Sequence, residues 1–394
     1  MTETEDILKL HAAHNGVLDI KSDLEVKDAS ELAHAYTPGV AILSKKIAAN
    51  PSLKKKYTIS GKLVALVTDG SAVLGLGNIG PAGGLPVIEG KALLYKDLAN
   101  INAIPIAVDR VSSDEVVQTV KNISQSFAGI HLEDIAAPRC FEIEDKLNDL
   151  LDIPVYHDDQ EGTAIVVLAA LINACKVTGK GLKMLKVVIN GVGASGLATA
   201  KLLYACGVKN ITLVDVYGAV TPDDQRYNAY QRDFAKQIGT SDSLKNKKLA
   251  DVIDNQDVFI GLSDANLLSE SDVLSMNCNP IIFALANPVP EIDPQLAKRA
   301  GAAVIATGSS KYPNQVNNIL VFPGLFKGLL ASDISHVGYD LQFSIAQKLA
   351  ETISDVDAAH IVPSVFDKNV VRNVSNAVCD FSNNLSKKAV VGEE

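Results

Sequence analysis

The sequence has no excess of basic residues: 36 Lys and Arg stand against 46 Asp and Glu, for a net charge of −10. A surface of that sign repels phosphate backbones and anionic headgroups, which argues against general nucleic-acid or membrane-surface binding. Nor is there a hydrophobic run of bilayer length. The most apolar window, AIVVLAALINACKV, is interrupted by Asn173 and Lys176 short of the roughly 20 residues a span needs, and it reads as a buried helix. The N-terminal MTETEDILKL is acidic where an export signal is basic. Five scattered cysteines (Cys140, Cys175, Cys206, Cys278 and Cys379) contain no C-x-x-C spacing, so neither a zinc knuckle nor a redox pair is suggested. Reduced thiols in a cytoplasmic protein are expected instead. Repeats of fixed period, low-complexity tracts and Gly/Ser linkers are missing too. Any domain boundary must therefore fall inside structured sequence.

What is present is 394 residues, 47% hydrophobic and 21% charged. That composition is ordinary for a globular protein, and the length exceeds the roughly 250–300 residues at which a single core stops growing, so two domains are expected. Apolar strand-like runs (KLVALVTD, AIPIAVD, GIHLED, KVVING, NITLVD, DVFIGL, PIIFALAN and AAVIAT) alternate with helical patterns. This alternation predicts an α/β protein with parallel sheets. A fresh strand-helix-strand pattern begins at KGLKMLKVVIN, just after the apolar helical stretch. The expected division is an N-terminal α/β substrate domain over 1–160 and a Rossmann-type dinucleotide-binding domain over 161–394, whose helical tail beyond about Phe343 could pack back on the first.

Two stretches contain G-x-G-x-x-G. In the second, the strand KVVIN runs into Gly191 and a helix and the strand NITLVD follow. Gly191 supplies the tight turn, Gly193 lets the backbone approach a pyrophosphate, and Gly196 permits close helix packing. The helix N-terminus at Ala194 and Ser195 turns partial positive charge toward the phosphates, and Gly207 ends the helix. Asp215, at the end of the next strand, is placed to accept from a ribose 2′-hydroxyl. Val216, Tyr217 and Gly218 follow with no Arg or Lys, so NAD is favoured, with NADP as the alternative. The first stretch, Gly75, Gly77 and Gly80, begins several residues after its strand. It predicts a long loop, opening a helix from about Leu85 toward Leu98, whose free N–H groups could take a carboxylate as readily as a phosphate.

Two acidic pairs, Glu133 with Asp134 and Asp158 with Asp159, follow apolar strands directly. Adjacent acids on a solvated turn are common, but strand ends of a parallel sheet are where ligands gather. Several oxygens converging there suit Mg²⁺ or Mn²⁺. Zinc is disfavoured, because His131 and His157 lack i, i+4 spacing and no cysteine joins them. Lys91, in IEGKALLYKDL, would by default be a surface lysine. Desolvation or a nearby cation would bring its pKa down toward the range of a general base.

Seven ordered blocks resemble the malic enzymes of the shorter prokaryotic type: AYTPGVA (35–41), DGSAVLGLGNIGP (69–81), EGKALLYK (89–96), HLEDIAAPRCFEIE (131–144), HDDQEGTA (157–164), FALANP (283–288) and NNILVFPG (317–324). The resemblance implies oxidative decarboxylation of (S)-malate to pyruvate and CO₂ with reduction of NAD(P). By it, Tyr36 matches the general acid and Lys91 the general base. Glu133, Asp134 and Asp159 match the metal ligands, with Asp158 adjoining them. Asn287 and Asn318 match residues lining the substrate and nicotinamide pocket. Longer relatives carry an arginine for the substrate carboxylate where this chain has Ala72, so backbone N–H groups between Ser71 and Gly80 are expected to take over. A symmetric homodimer is expected both from base rates and from the resemblance. Two other readings stand beside this one. A malolactic enzyme would use the same residues but return the hydride to make lactate. A non-catalytic dinucleotide sensor would lack Tyr36, Lys91 or one of the acids, and none is missing.

Overall fold

The computed structural model describes residues 3–73 and 75–391. Two sheets organise it. In the first, β1 (Leu63–Thr68), β2 (Asn102–Ala107), β3 (Gly129–Glu133) and β4 (Val155–His157) run parallel in the order β2-β1-β3-β4. The second contains β5 (Lys186–Asn190), β6 (Asn210–Asp215), β7 (Gly218–Ala219), β8 (Val258–Gly261), β9 (Ile281–Ala284) and β10 (Val304–Thr307). Their order is β10-β9-β8-β5-β6-β7, parallel except for the short β7. Each of the eight apolar runs is a strand. They are apolar throughout because helices cover both faces of a parallel sheet. Along β5, Val187 and Ile189 enter the main core while Val188 joins a second cluster on the opposite face.

The helix Thr163–Thr178 leaves the end of β4 and is buried along most of its length. With the preceding turn it forms the run Asp158–Thr178, which by length and apolarity alone could cross a membrane. Here that run packs against the helices Ala194–Ala205 and Tyr339–Ala350. It is hydrophobic because it is the core helix joining the two sheets. The C-terminal helix, Lys368–Val391, lies on Phe322–Leu330 and Tyr339–Ala350. Phe322 and Phe326 in turn pack on Tyr95, so the tail reaches the first sheet through that intervening helix.

One feature differs from expectation. The helix after the first glycine loop starts at Gly80, not Leu85, and takes in Pro81, Gly83, Gly84 and Pro86. Proline suits a first helical turn, and a Cβ on Gly84 would lie 3.2 Å from the Gly70 Cα, so these residues mark close packing instead of a loop. At the other extreme, the N-terminal helices Glu3–His14, Ala29–Ala35 and Gly39–Ala49 bury no residue at all. They present Ile7, Leu8, Leu10, Leu32 and Ile42 as exposed apolar side chains.

Candidate active site

The C-terminal ends of β1, β3 and β4 face the glycine loop after β5. Between them lies a cleft of about 370 Å³ lined by Ala72, Ala136, Asp159 and Thr163 on one side and by Gly193, Ser195, Leu262, Asn287, Gly308 and Asn318 on the other. Ligands collect at this position in parallel α/β sheets.

The acidic floor comes from two strand ends. β3 finishes on Glu133, and Asp134 follows in the left-handed region at φ 55°, a conformation uncommon for a residue with a Cβ. There its backbone N–H donates to Asp159 Oδ2 at 2.8 Å. After β4 the chain makes a wide π-helical turn, Asp158–Gly162, of the sort that often accompanies functional sites. The turn sends Asp159 toward Asp134 and Asp158 toward Lys91. Glu144 holds it from behind, accepting from His157 N at 3.1 Å and from Gln160 Nε2 at 2.6 Å.

Lys91 projects from the Gly80–Ala99 helix into this floor with only 12% of its side chain exposed. Its Nζ lies 2.7 Å from Glu133 Oε2, contacts Asp158 Oδ2, and sits 5.1 Å from the centre of the Phe322 ring. The expected fall in its pKa is not seen. Burial does push the ammonium down, but attraction to Asp158, Glu133 and Asp159 outweighs it, and the group is held well above its ordinary value. The acids shift upward as well, which for them favours the neutral form. Burial, reinforced by Glu133 and Asp159, lifts Asp134 to about 8; burial lifts Glu133 to about 7 against the pull of Lys91; and Asp159 rises to about 6 through burial and Glu133.

Two residues that sequence reasoning passed over, Tyr95 and Tyr156, and one it weighed only as a zinc ligand, His131, complete the network. Tyr95, four residues after Lys91 on the same helix, bonds His131 Nδ1 at 2.9 Å, and His131 Nε2 bonds Glu133 Oε2 at 2.8 Å. Burial holds His131 neutral, near 3. Because a carboxylate can only accept, Nε2 carries the proton and Tyr95 donates to Nδ1. Tyr156 OH donates to Asp158 Oδ1 at 2.7 Å. The i, i+4 spacing in EGKALLYK was the available signal for Tyr95.

The residues present fit a divalent cation. Glu133, Asp134 and Asp159 each bring an oxygen within 4.8 Å of the others, and the buried Asp134 Oδ2 has no hydrogen-bond partner. Three hard oxygen donors with raised pKa values and an orphaned atom match what Mg²⁺ or Mn²⁺ accepts. A second group, His131, Glu133 and Asp158, lies beside this donor set, and there Glu133 and Asp158 already hold the Lys91 ammonium.

The second glycine loop has the geometry the sequence implied. Gly191 has φ 95°, and a Cβ on it would meet the Leu262 carbonyl at 2.5 Å; at Gly193 nothing lies within 4 Å, leaving open space for a ligand. At Gly196 a Cβ would stand 1.8 Å from the Gly191 carbonyl oxygen. We expect Gly196→Ala to lower stability by about 1–3 kcal/mol through overpacking. It should also weaken NADH binding by at least roughly tenfold, since each 1.4 kcal/mol is a factor of ten. Thermal unfolding and NADH fluorescence titration check the two effects. Asp215 ends β6 and accepts from Val192 N at 3.1 Å, tying it to the loop. Asn287 and Asn318 both line the cleft.

The first glycine loop corrects an expectation. Ser71 N donates to Asp69 Oδ1, Ala72 N to the Asp134 carbonyl, Val73 N to Gly77, Leu76 N and Gly77 N to Val73, and Ile79 N and Gly80 N to Gly70. The loop thus spends its N–H groups on its own folding. Among its described residues only Gly75 and Asn78 keep theirs, and Leu74 lies outside the described residues. Its tip packs on the cofactor side, where a Cβ on Gly75 would lie 3.6 Å from the Asn287 carbonyl. Nor is Tyr36 brought to Lys91. Its side chain is 66% exposed, and no hydrogen bond or ring contact joins it to the acids or the lysine.

This arrangement agrees with what the chain resembles as a whole. Residues 18–114 and 110–148 match the family described as malic enzyme, N-terminal domain, and residues 160–382 match malic enzyme, NAD binding domain. An NAD-dependent malic enzyme of Geobacillus stearothermophilus is 46% identical over 367 residues, covering 93% of this chain and 76% of that protein. A bifunctional malic/malolactic enzyme of Bacillus subtilis (strain 168) is 46% identical over 381 residues, covering 96% and 92%. The crystal structure of an NAD-dependent malic enzyme from Thermotoga maritima superposes with a TM-score of 0.90 at 43% identity, covering 94% of this chain and 98% of that one. With both halves matched and relatives this similar over nearly its whole length, the chain belongs to the malic enzyme family of oxidoreductases.

Proposed function

We propose that this protein oxidises (S)-malate and decarboxylates it to pyruvate and CO₂ with reduction of NAD, using Mg²⁺ or Mn²⁺. The observation that carries the reading is the Lys91 ammonium seated between Glu133 and Asp158, beside a three-carboxylate cluster that opens on the dinucleotide cleft. We assign 1–160 to the substrate and metal half and 161–394 to the dinucleotide half. Gly191, Gly193, Ala194, Ser195 and Gly196 would cradle the pyrophosphate, Asp215 would hold the ribose, and Asn287 and Asn318 would line the nicotinamide and substrate.

Lys91 takes the C2 hydroxyl proton as the hydride leaves C2 for the nicotinamide. The C4 carboxylate then departs as CO₂, and Tyr36 returns a proton to C3. Glu133, Asp134 and Asp159 would hold a divalent cation, which when bound would supply Lewis-acid polarisation of the C2 oxygen and would offset part of the carboxylate charge that keeps Lys91 protonated. Asp158, anchored by Tyr156, keeps the lysine aimed at the substrate.

Tyr36 belongs to this scheme through assembly. It caps the helix Ala29–Ala35, one of three N-terminal helices that bury no residue in their own chain and expose a row of apolar side chains, the signature of a surface covered by a partner. In the symmetric homodimer we infer, these helices lie on the second copy and deliver Tyr36 to the second copy's lysine.

Malate added to the protein with NAD and Mn²⁺ should yield one NADH per pyruvate. If malate disappears while lactate forms and no NADH accumulates, the malolactic reading replaces this one; the similarity to the bifunctional Bacillus subtilis protein is what keeps it in view.

A further inference from the structure

We propose that Lys248 is a specificity-determining residue: its ammonium receives the 2′-phosphate of NADP, so that the pocket at Asp215 takes NADP as a second cofactor instead of excluding it. The inference rests on the dinucleotide-dependent reaction proposed above.

A strand-end acid such as Asp215 accepts from the ribose 2′-hydroxyl and repels a phosphate there, and accommodation of NADP depends on a cation nearby. In sequence none follows Asp215. The fold supplies one from 32 residues beyond Val216: Lys248 Nζ donates to the Val216 carbonyl at 3.1 Å. On the other side of the same residue, Val216 N donates to Asp215 Oδ1 at 2.8 Å. Acid and ammonium therefore flank one residue, Val216, whose side chain is 73% exposed. The approach is fixed by backbone pairing, because Ala219 N of β7 donates to the Lys247 carbonyl at 2.7 Å.

A second cation close by is not available for the same work. Arg226 lies over the Tyr217 ring at 5.2 Å, but its guanidinium makes an Nη2–Oδ2 contact of 2.5 Å with Asp224 and another of 2.6 Å with Asn246. Its charge is already matched. Lys248 forms no ion pair among the described residues and stands exposed, so an incoming phosphate need break only one bond to a carbonyl. Meanwhile Asp215 Oδ2 is held by Val192 N and by Gln231 Nε2 at 3.3 Å. The acid stays tied to the glycine loop and cannot swing toward the lysine. The pocket that results is one in which NAD is preferred and NADP is tolerated.

The test compares wild type, Lys248→Ala and Lys248→Arg at low ionic strength, where an exposed charge is least screened. Two readouts are taken: kcat/KM with malate for each cofactor, and NADPH and NADH affinity by nucleotide fluorescence. Loss of one charge-assisted hydrogen bond should lower the NADP-to-NAD ratio of kcat/KM about tenfold in Lys248→Ala, with the NADPH dissociation constant rising in parallel and Lys248→Arg restoring both. An unchanged ratio, an equal fall with both cofactors, or a wild-type protein that binds no NADPH would overturn the proposal. Should wild type oxidise malate with neither cofactor, the proposed function fails, while the fluorescence titration still reads the role of Lys248.

Discussion

Lys91→Ala should lose malate oxidation by about a thousandfold or more while still binding NADH and Mn²⁺. General-base removal alone is worth about 10²- to 10⁴-fold, and here the same side chain also fixes the charge of the acidic floor. Its ammonium touches Glu133 and Asp158. Deleting it leaves two buried carboxylates with no cation, so the metal-free variant should also be less stable, by about 3–5 kcal/mol for an unpaired buried charge. A divalent ion meets less repulsion once the ammonium is gone. Mn²⁺ affinity should accordingly hold or rise as activity falls, which separates a base from a residue that merely supports the metal site. Stopped-flow measurement of NADH formation and Mn²⁺ titration by electron paramagnetic resonance read the two quantities. Turnover near wild type would remove Lys91 from its role. The same variant reports on assembly. If Tyr36 serves the second copy's site, mixing Lys91→Ala with Tyr36→Phe protein and allowing subunits to exchange restores activity that neither has alone. Two sites each built from one chain would show no such recovery.

The parts of this molecule legible in the sequence are those determined by local pattern. Parallel strands covered on both faces must be apolar along their whole length, so KLVALVTD and KVVIN announced β1 and β5 directly. Glu133, Asp134 and Asp159 were legible because an acid at a strand end has a fixed place relative to the sheet. The glycine loop at 191–196 was legible because each glycine answers a separate steric demand, as the 1.8 Å approach at Gly196 shows. What stayed hidden depends on distant pairing. Asp158 is 67 residues from the lysine it holds, and the pKa of Lys91 turned on three carboxylates from two strand ends that local sequence cannot place together. The glycines at 75–80 looked like an open anion cradle, yet a turn that closes on itself has the same composition. β7 is two residues long and carries no pattern, but it is what brings Lys248 beside Val216. Tyr36 is exposed within its own chain, so in the homodimer proposed above its role could not be read from either kind of reasoning applied to one chain.

Removing the divalent cation should abolish activity and reverse the usual effect of pH on stability over the range in which the acid cluster titrates. Asp134 is raised from its ordinary value of 3.8 to about 8, and Glu133 from 4.5 to about 7, in each case chiefly by burial. Between the ordinary and the raised value the folded protein keeps protons that the unfolded chain has shed, so stability declines as pH rises through that window. Metal-free protein should therefore melt at progressively lower temperature from about pH 5 to about pH 8, values set by those unfolded and folded titrations. Added Mn²⁺ should recover the loss, most strongly at the upper end, where no proton competes with it. Asp134→Asn isolates the cause. It removes a buried carboxylate whose Oδ2 has no partner and leaves a neutral side chain of similar shape, so the metal-free variant should be more stable than wild type at pH 8 and its pH dependence flatter. Metal affinity should fall by more than about a hundredfold, since even loss of a group that only supports a ligand costs roughly 10–100-fold. Calorimetric melts with and without chelator, alongside Mn²⁺ binding, measure both sides of this trade. A metal-free melting temperature that does not change with pH, or a variant no more stable than wild type at pH 8, would mean that the three carboxylates are not held together in the way the structure shows.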